Sequence, residues 1–465
     1  MPNPPPAEVT FQPEPLALQD VERPMLPPLD RDLPSQIGEW PPRRPRTTYS
    51  NPWRKLLVLS LIVFAFTVTT WVYWQDERPP SEETLQIKRD FDDSQRPSAF
   101  GRMRTLLTSV APVQSAELVG VPPWRWQTPD LARMVDANGI ARENLRDLLE
   151  EPDWHLRHKA WFEEDMGIHG AWTSLAILKQ AESAYLMRRG EEEAAFSAAI
   201  DLAELARSLQ DLQAWPSYYD RSLHIFERAC QTLADLLRTT KLDSVRLGAF
   251  QDEFVKCAPS NDALRSGMSA WYLFEKKLML GPESQEAIDT LPGGIFYQRP
   301  GRLFFKPNRT LEFFVRSFRD LRDEAEKAPY NRSSQVGLRV GRVGSGFGLP
   351  NSAGEAYFAS RIVPYISLPE RQTIAHAQHA VVVTLFALRR FHADYKRLPP
   401  HLVNLRPDFL SDLPVDPFTG LPLKYDFASG IVSSVGTNYD SDKGVPTDPP
   451  LADHREIVAQ AGRDP

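Results

Sequence analysis

Between Leu56 and Gln75 charge disappears from the chain, and LLVLSLIVFAFTVTTWVYWQ carries only aliphatic, aromatic, hydroxyl and amide side chains. About 20 such residues cross about 30 Å of hydrocarbon as a helix rising 1.5 Å per residue. The run therefore predicts one transmembrane helix over residues 54–75. Trp53 at one end and Trp71, Tyr73 and Trp74 at the other put amphipathic rings at both interfaces. Arg43, Arg44, Arg46, Arg54 and Lys55 precede the run, and QDERPPSEE follows it. Basic residues gather on the cytoplasmic side of a span. Residues 1–52 are accordingly expected in the cytoplasm and the chain after residue 76 outside it, anchored in an inner membrane. A cleaved signal peptide is not expected, because no small-x-small site follows the run.

From Thr128 to Leu280 the apolar positions recur with helical period. Ala171–Arg189 carries Leu175, Leu178, Ala181, Tyr185 and Leu186 at that spacing, and Gly190 stands where a helix stops. Glu191–Leu212 repeats the pattern with Ala195, Ala199, Leu202, Leu205, Ala206 and Leu209. Pro216 opens a third helix over Ser217–Arg238, and Asp243 and Ser260 are N-cap residues for two more that end near Cys257 and Leu280. Short turns make these antiparallel pairs. They resemble tetratricopeptide-type hairpins without a faithful 34-residue consensus, so residues 128–290 are expected to form a helical bundle or short solenoid.

On either side the pattern weakens. Residues 76–127 read as a linker with a short helix near Phe100–Val110. Residues 291–371 read as a connecting region with a helix, Arg309–Lys327, capped by Asn308, and a glycine-rich stretch, Val336–Gly354. No Gly-Lys-Ser/Thr follows those glycines, so they predict an extended connection rather than a phosphate loop. The fold class expected is mainly α.

Composition changes this picture in three places. The 42 prolines among 465 residues are about twice the usual share, and runs such as PNPPP and EWPPRRPR make residues 1–52 a disordered tail. A net charge of −7 offers no global basic field, so no nucleic-acid partner is expected. Two cysteines exclude a Cys-based zinc site of the paired CxxC kind. Spacing leaves open whether Cys230 and Cys257 pair or stay as two buried thiols.

The C-terminal region has a different order of parts. A long helical stretch, Gln372–Lys396, is apolar at Ala377, Val381, Leu385, Leu388 and Phe391 and ends at Arg397-Leu-Pro-Pro400. Asp416-Pro-Phe-Thr-Gly420 then reads as a turn, with short strands over Leu423–Phe427 and Gly430–Val435. This succession resembles the globular part of type II secretion major pseudopilins and related bacterial envelope proteins, over about Gln372–Gly444. It implies a small α/β pseudopilin-like module over residues 372–446, followed by a flexible tail, 447–465. Pseudopilins begin with a processed leader and a hydrophobic helix that runs directly into the globular part. This chain places its apolar span far upstream, so pilin-like polymerisation is not expected. The resemblance also implies calcium in the loop after the strand pair. Here Asn438, Asp440 and Asp442 offer oxygen ligands at alternate positions, although no distal bidentate Glu accompanies them.

Two His-x-x-His pairs, His155 with His158 and His376 with His379, have the spacing of helical metal ligands, but no HExxH and no third ligand in register accompanies either. Both read as packed or surface histidines. No Gly-x-Ser-x-Gly elbow is present. The function expected is a non-catalytic, single-pass envelope protein that binds other envelope or secretion proteins. The alternative is an anchored extracytoplasmic hydrolase with its site between the helical and C-terminal domains. For the calcium loop, a cation bound only by the folded state stabilises it by about 2.7 kcal/mol at a hundredfold excess over Kd. Millimolar calcium should thus raise the melting temperature of the detergent-solubilised chain, and Asp440→Asn with Asp442→Asn should abolish the response. Identical melting in calcium and in chelator would mean a solvated acidic turn.

Overall fold

A computed structural model of the chain describes residues 52–76, 78–81, 99–112, 118, 120–151, 154, 168–212, 216–280, 305–332, 351–437 and 457–461. Asn438, Asp440, Asp442, His155 and His158 lie outside these residues, as do 336–350 of the glycine-rich stretch. By its internal contacts the chain divides after Thr67.

Helix α1 (Pro52–Trp74) runs through that division. Its window Pro52–Trp71, with a mean hydropathy of 1.5, is long and apolar enough to cross a membrane, and none of it is buried. Phe66 is 72% exposed, a state that water penalises heavily for a large apolar ring. Two hydroxyls of α1 are satisfied inside the helix: Ser60 Oγ donates to the Leu57 carbonyl and Thr67 Oγ1 to the Val63 carbonyl.

The second unit is mainly helical. After α2 (Ala99–Ser109), α3 (Thr128–Ala137) and α4 (Gly139–Leu149) come the long helices α5 (Ile168–Arg188), α6 (Glu192–Asp211) and α7 (Pro216–Thr239). Helix α5 ends where Gly190 takes φ 79°, and Glu191 N–H reaches back to the Leu186 carbonyl at 3.0 Å, the wrap that a left-handed residue permits. Helix α6 then returns along α5 and packs against α7. Its Ala195, Ala199, Ala203 and Ala206 are buried, and such small side chains let neighbouring backbones approach. Leu178 and Leu233 are fully buried in this core, where truncation to Ala ordinarily costs about 2–5 kcal/mol. Trp126, at the entry to α3, is buried and donates its Nε1 to the Val121 carbonyl.

Charge buried between these helices is paired. Lys179 is 2% exposed, and its Nζ lies 2.7 Å from Glu182 Oε2 and 2.8 Å from Asp201 Oδ2. Arg142 of α4 reaches Glu182 Oε1 at 2.5 Å. Burial opposes ionisation of Glu182, but Lys179 and Arg142 outweigh it and hold the carboxyl below its ordinary value.

Helices α8 (Ser244–Lys256) and α9 (Asn261–Leu280) follow. Asp243 caps α8 by accepting from Arg246 N–H, and Ser260 Oγ accepts from Ala263 N–H ahead of α9. Helix α10 is Pro307–Glu326, and its start corrects the sequence expectation. Pro307 occupies the first turn, and Asn308 is not the cap. Instead, Asp76 Oδ2 accepts from Asn308 N–H at 2.9 Å, and Asn351 Oδ1 accepts from Lys306 N–H at 2.7 Å. Helix α11 (Ser352–Ile362) begins inside the glycine-rich stretch, so residues 352–354 are helical where an extended connection is expected. Buried Glu275 ties α9 to α11, accepting from Tyr357 OH at 2.5 Å and Arg361 Nε at 2.7 Å, and also from Trp271 Nε1 of its own helix at 2.8 Å.

Helix α12 (Leu368–Tyr395) starts four residues before the expected Gln372 and stops at Lys396, which takes φ 57°. It packs on α7 and α8 and on a three-stranded antiparallel sheet, β1 (Lys424–Asp426), β2 (Ile431–Ser434) and β3 (Ile457–Gln460), in that spatial order. Strand β3 lies in what the sequence presents as a flexible tail. It pairs with β2, Val432 opposite Ala459, and its Ile457 is fully buried. The Asp416 turn locks the loop before the sheet. Buried Asp416 accepts from Phe418 N–H and Ser434 Oγ through Oδ1, and from Val435 N–H through Oδ2, each at 2.9 Å. Gly420 closes the turn at φ 71°, with the Tyr330 ring 3.1 Å from where a Cβ would stand.

Candidate functional site

Helix α12 shows two different faces. Ala377, Val381, Leu385 and Leu388 are fully buried, while His376, His379, Ala380, Val383 and Arg390 line a cavity of about 710 Å³. Their offsets of three, four, seven and fourteen residues follow the helical repeat. Gln251, Asp252 and Val255 of α8 form a second wall. Pro329 and Tyr330, after α10, and the loop 407–417 complete the enclosure.

Two ties bring that loop over the helices. Gln251 Nε2 donates to the Phe409 carbonyl at 3.1 Å, and Arg390 Nη1 donates to Gln251 Oε1 at 3.0 Å and to the Phe409 carbonyl at 3.4 Å. The Arg390 guanidinium also stands 5.4 Å from the Phe409 ring centroid. On its other side Gly248 leaves room: a Cβ there would meet the guanidinium at 3.2 Å.

At the cavity wall, His376 and His379 each keep a buried Nε2 with no hydrogen-bond partner. His379 stacks on Phe254, with ring centroids 4.9 Å apart. Burial drives His376 down to about 3, helped by the charges of Arg332 and His379. Burial likewise drives His379 down to about 4, against a hydrogen bond to the Phe254 backbone. Both rings are neutral at neutral pH, each with one donor and one acceptor nitrogen.

The cavity stands where the hydrolase alternative puts its site, and Ser411, Asp252, Asp408 and Asp412 line it beside the histidines. No hydrogen bond among the described residues joins either imidazole to that serine or to those carboxylates, so no relay is assembled. No three His, Cys, Asp or Glu side chains among the described residues group closely enough to hold a metal ion. Cys230 and Cys257 are free and buried. Burial pushes the Cys257 thiol up to about 12 and Cys230 well above its ordinary value, which keeps both protonated and unreactive.

The histidines make stability depend on pH. The unfolded chain takes up protons on them near pH 6.5, whereas the folded chain resists until about pH 4 and about pH 3. Their contribution is full above pH 6.5 and is lost on acidification, at about 1.4 kcal/mol per pH unit for each ring. Urea unfolding of the detergent-solubilised chain between pH 6.5 and 5 should show that loss, with His376→Gln removing about half of it. An unchanged slope in the variant would mean that the ring titrates as it does in water.

Comparison with protein-family models, with curated proteins and with solved structures finds no match for this chain.

Proposed function

We propose that this chain is a single-pass inner-membrane protein whose second unit, outside the cytoplasm, acts as a non-catalytic binding platform for other envelope or secretion proteins. The observation that carries the anchor is the full exposure of α1, an apolar helix with no protein cover over Pro52–Trp71. A lipid bilayer is the solvent in which that surface costs nothing. The orientation rests on charge, with Arg54 and Lys55 before the span and Asp76 and Glu77 after it.

The pseudopilin-like reading of residues 372–446 draws support from the order of elements. A long helix, the Asp416 turn and an antiparallel strand pair follow one another as in that family's globular part. In this chain the helix is enclosed by α7, α8 and the sheet, which favours a built-in structural role over polymerisation. Its long packed helices offer stable faces of the kind that recognise proteins.

Two experiments test the reading. Alkaline phosphatase fused after Arg125 should be active in a bacterial host, and a stable but inactive fusion would overturn the orientation. Reversible crosslinking in intact cells, followed by purification of the detergent-solubilised chain, should return the same stoichiometric envelope partners in independent preparations. Recovery of the chain alone, with the fusion active, would leave an anchored protein without the platform role.

A further inference from the structure

At its C-terminal end, α1 does not hand over to a free tether. Gln75 N–H bonds to the Trp71 carbonyl at 3.0 Å, so the helical course reaches the residue before Asp76. The Asp76 carboxylate then meets the first turn of α10. Its Oδ2 accepts from Asn308 N–H at 2.9 Å and its Oδ1 from Arg309 N–H at 3.3 Å. First-turn N–H groups have no partner within their own helix, and a carboxylate there also meets the positive end of the helix dipole. All of these residues belong to the second unit.

The contact fixes a height. If α1 spans the bilayer, Trp71 belongs at its interface. Five further residues at about 1.5 Å each carry Asp76 about 7 Å beyond that ring, the depth of one headgroup layer. Helix α11 shares this end of the fold. Asn351, just before α11, accepts from Lys306 N–H through Oδ1 at 2.7 Å, and its Nδ2 donates to Thr310 Oγ1 at 3.1 Å. One turn on, the Phe314 and Phe358 ring centroids lie 4.8 Å apart. The two helices therefore run side by side in the same direction, with their first turns together. Asn308, Arg309 and Ser352 are half-buried there, offering an amide, a guanidinium and a hydroxyl, groups that hydrogen-bond to phosphate and glycerol oxygens. We propose that the second unit sits directly on the outer surface of the bilayer, fastened by Asp76, with the first turns of α10 and α11 among the lipid headgroups. This rests on the single-pass reading and adds to it a lipid surface as a second partner. Without the fastening, residues 77–98, which separate Asp76 from α2, are long enough at about 3.4 Å each to lift the unit by tens of ångströms.

Fluorescence quenching of the full chain in nanodiscs tests the mount. The lipid is phosphatidylcholine with a nitroxide on its headgroup, and the fluorophore is attached at Asn308→Cys or, as a reference, at exposed Gln75→Cys. Cys230 and Cys257 are buried, which keeps the label on the introduced thiol. The probe at 308 should be quenched to about the same extent as the probe at 75, since both lie within about one headgroup layer of Trp71. Adding Asp76→Ala should lower quenching at 308 at least about twofold while sparing position 75, because the first-turn N–H groups then lose their acceptor. Asp76→Asn, which keeps one acceptor oxygen, should fall between the two. Helical circular dichroism should stay unchanged in both variants. Strong quenching at 75 with none at 308 would overturn the mount and leave the anchor standing, as would quenching at 308 that ignores Asp76→Ala. Absence of quenching at 75 would overturn the anchor and the mount together.

Discussion

Helix α12 has almost no side to give to water. Besides Ala377, Val381, Leu385 and Leu388, it buries Val382, Val383, Phe386 and Ala387, which point around the whole circumference. A helix apolar on every side must be covered on every side. Helices α7 and α8 supply one flank and strands β2 and β3 another. The bundle and the sheet therefore share one hydrophobic cluster, and neither could keep α12 dry alone. Polar residues of α12 follow the same logic, as when Gln372 Nε2 donates to the Ser260 carbonyl and buried Arg389 to the Thr240 carbonyl.

Where the chain buries charge, it places opposite charge within hydrogen-bond reach. Lys179, Glu182, Asp201 and Arg142 bind α4, α5 and α6, and Glu275 with Arg361 binds α9 to α11. Breaking one partner of such a set strands the other in low dielectric, so these networks enforce a particular alignment of helices more than they add net stability. The two histidines of the cavity are handled differently. They are kept neutral by burial, each with an Nε2 that has no hydrogen-bond partner.

The parts that the sequence reveals well are those whose causes are local. Gly190, Asp243 and Ser260 mark helix ends because a left-handed residue or a side-chain cap acts within one turn, and the structure follows them within a few residues. Asn308 misleads because the groups that meet the first turn of α10 come from Asp76 and Asn351, far away in sequence. Helix α11 begins at Ser352, inside a glycine-rich stretch that suggests no helix. Strand β3 is four residues, Ile-Val-Ala-Gln, with no turn signal of its own, and pairing with β2 alone defines it. The site divides the same way. The spacing of His376 and His379 is plain in the sequence, but the loop 407–417 that makes a cavity of their surroundings is placed by Gln251 and Arg390, a tertiary arrangement.

Strand β3 also sets an order of events. It joins the sheet only after α12, β1 and β2 have been synthesised, and Ile457, Val458 and Ala459 are buried where it docks. As the chain is made from its N-terminus, the greasy flank of α12 stays wet until residues 457–460 have emerged. Before that moment the bundle is complete but its lid is missing, and the chain presents to its surroundings the same kind of sticky surface that holding chaperones recognise. The arrival of those four residues then marks when that flank is covered.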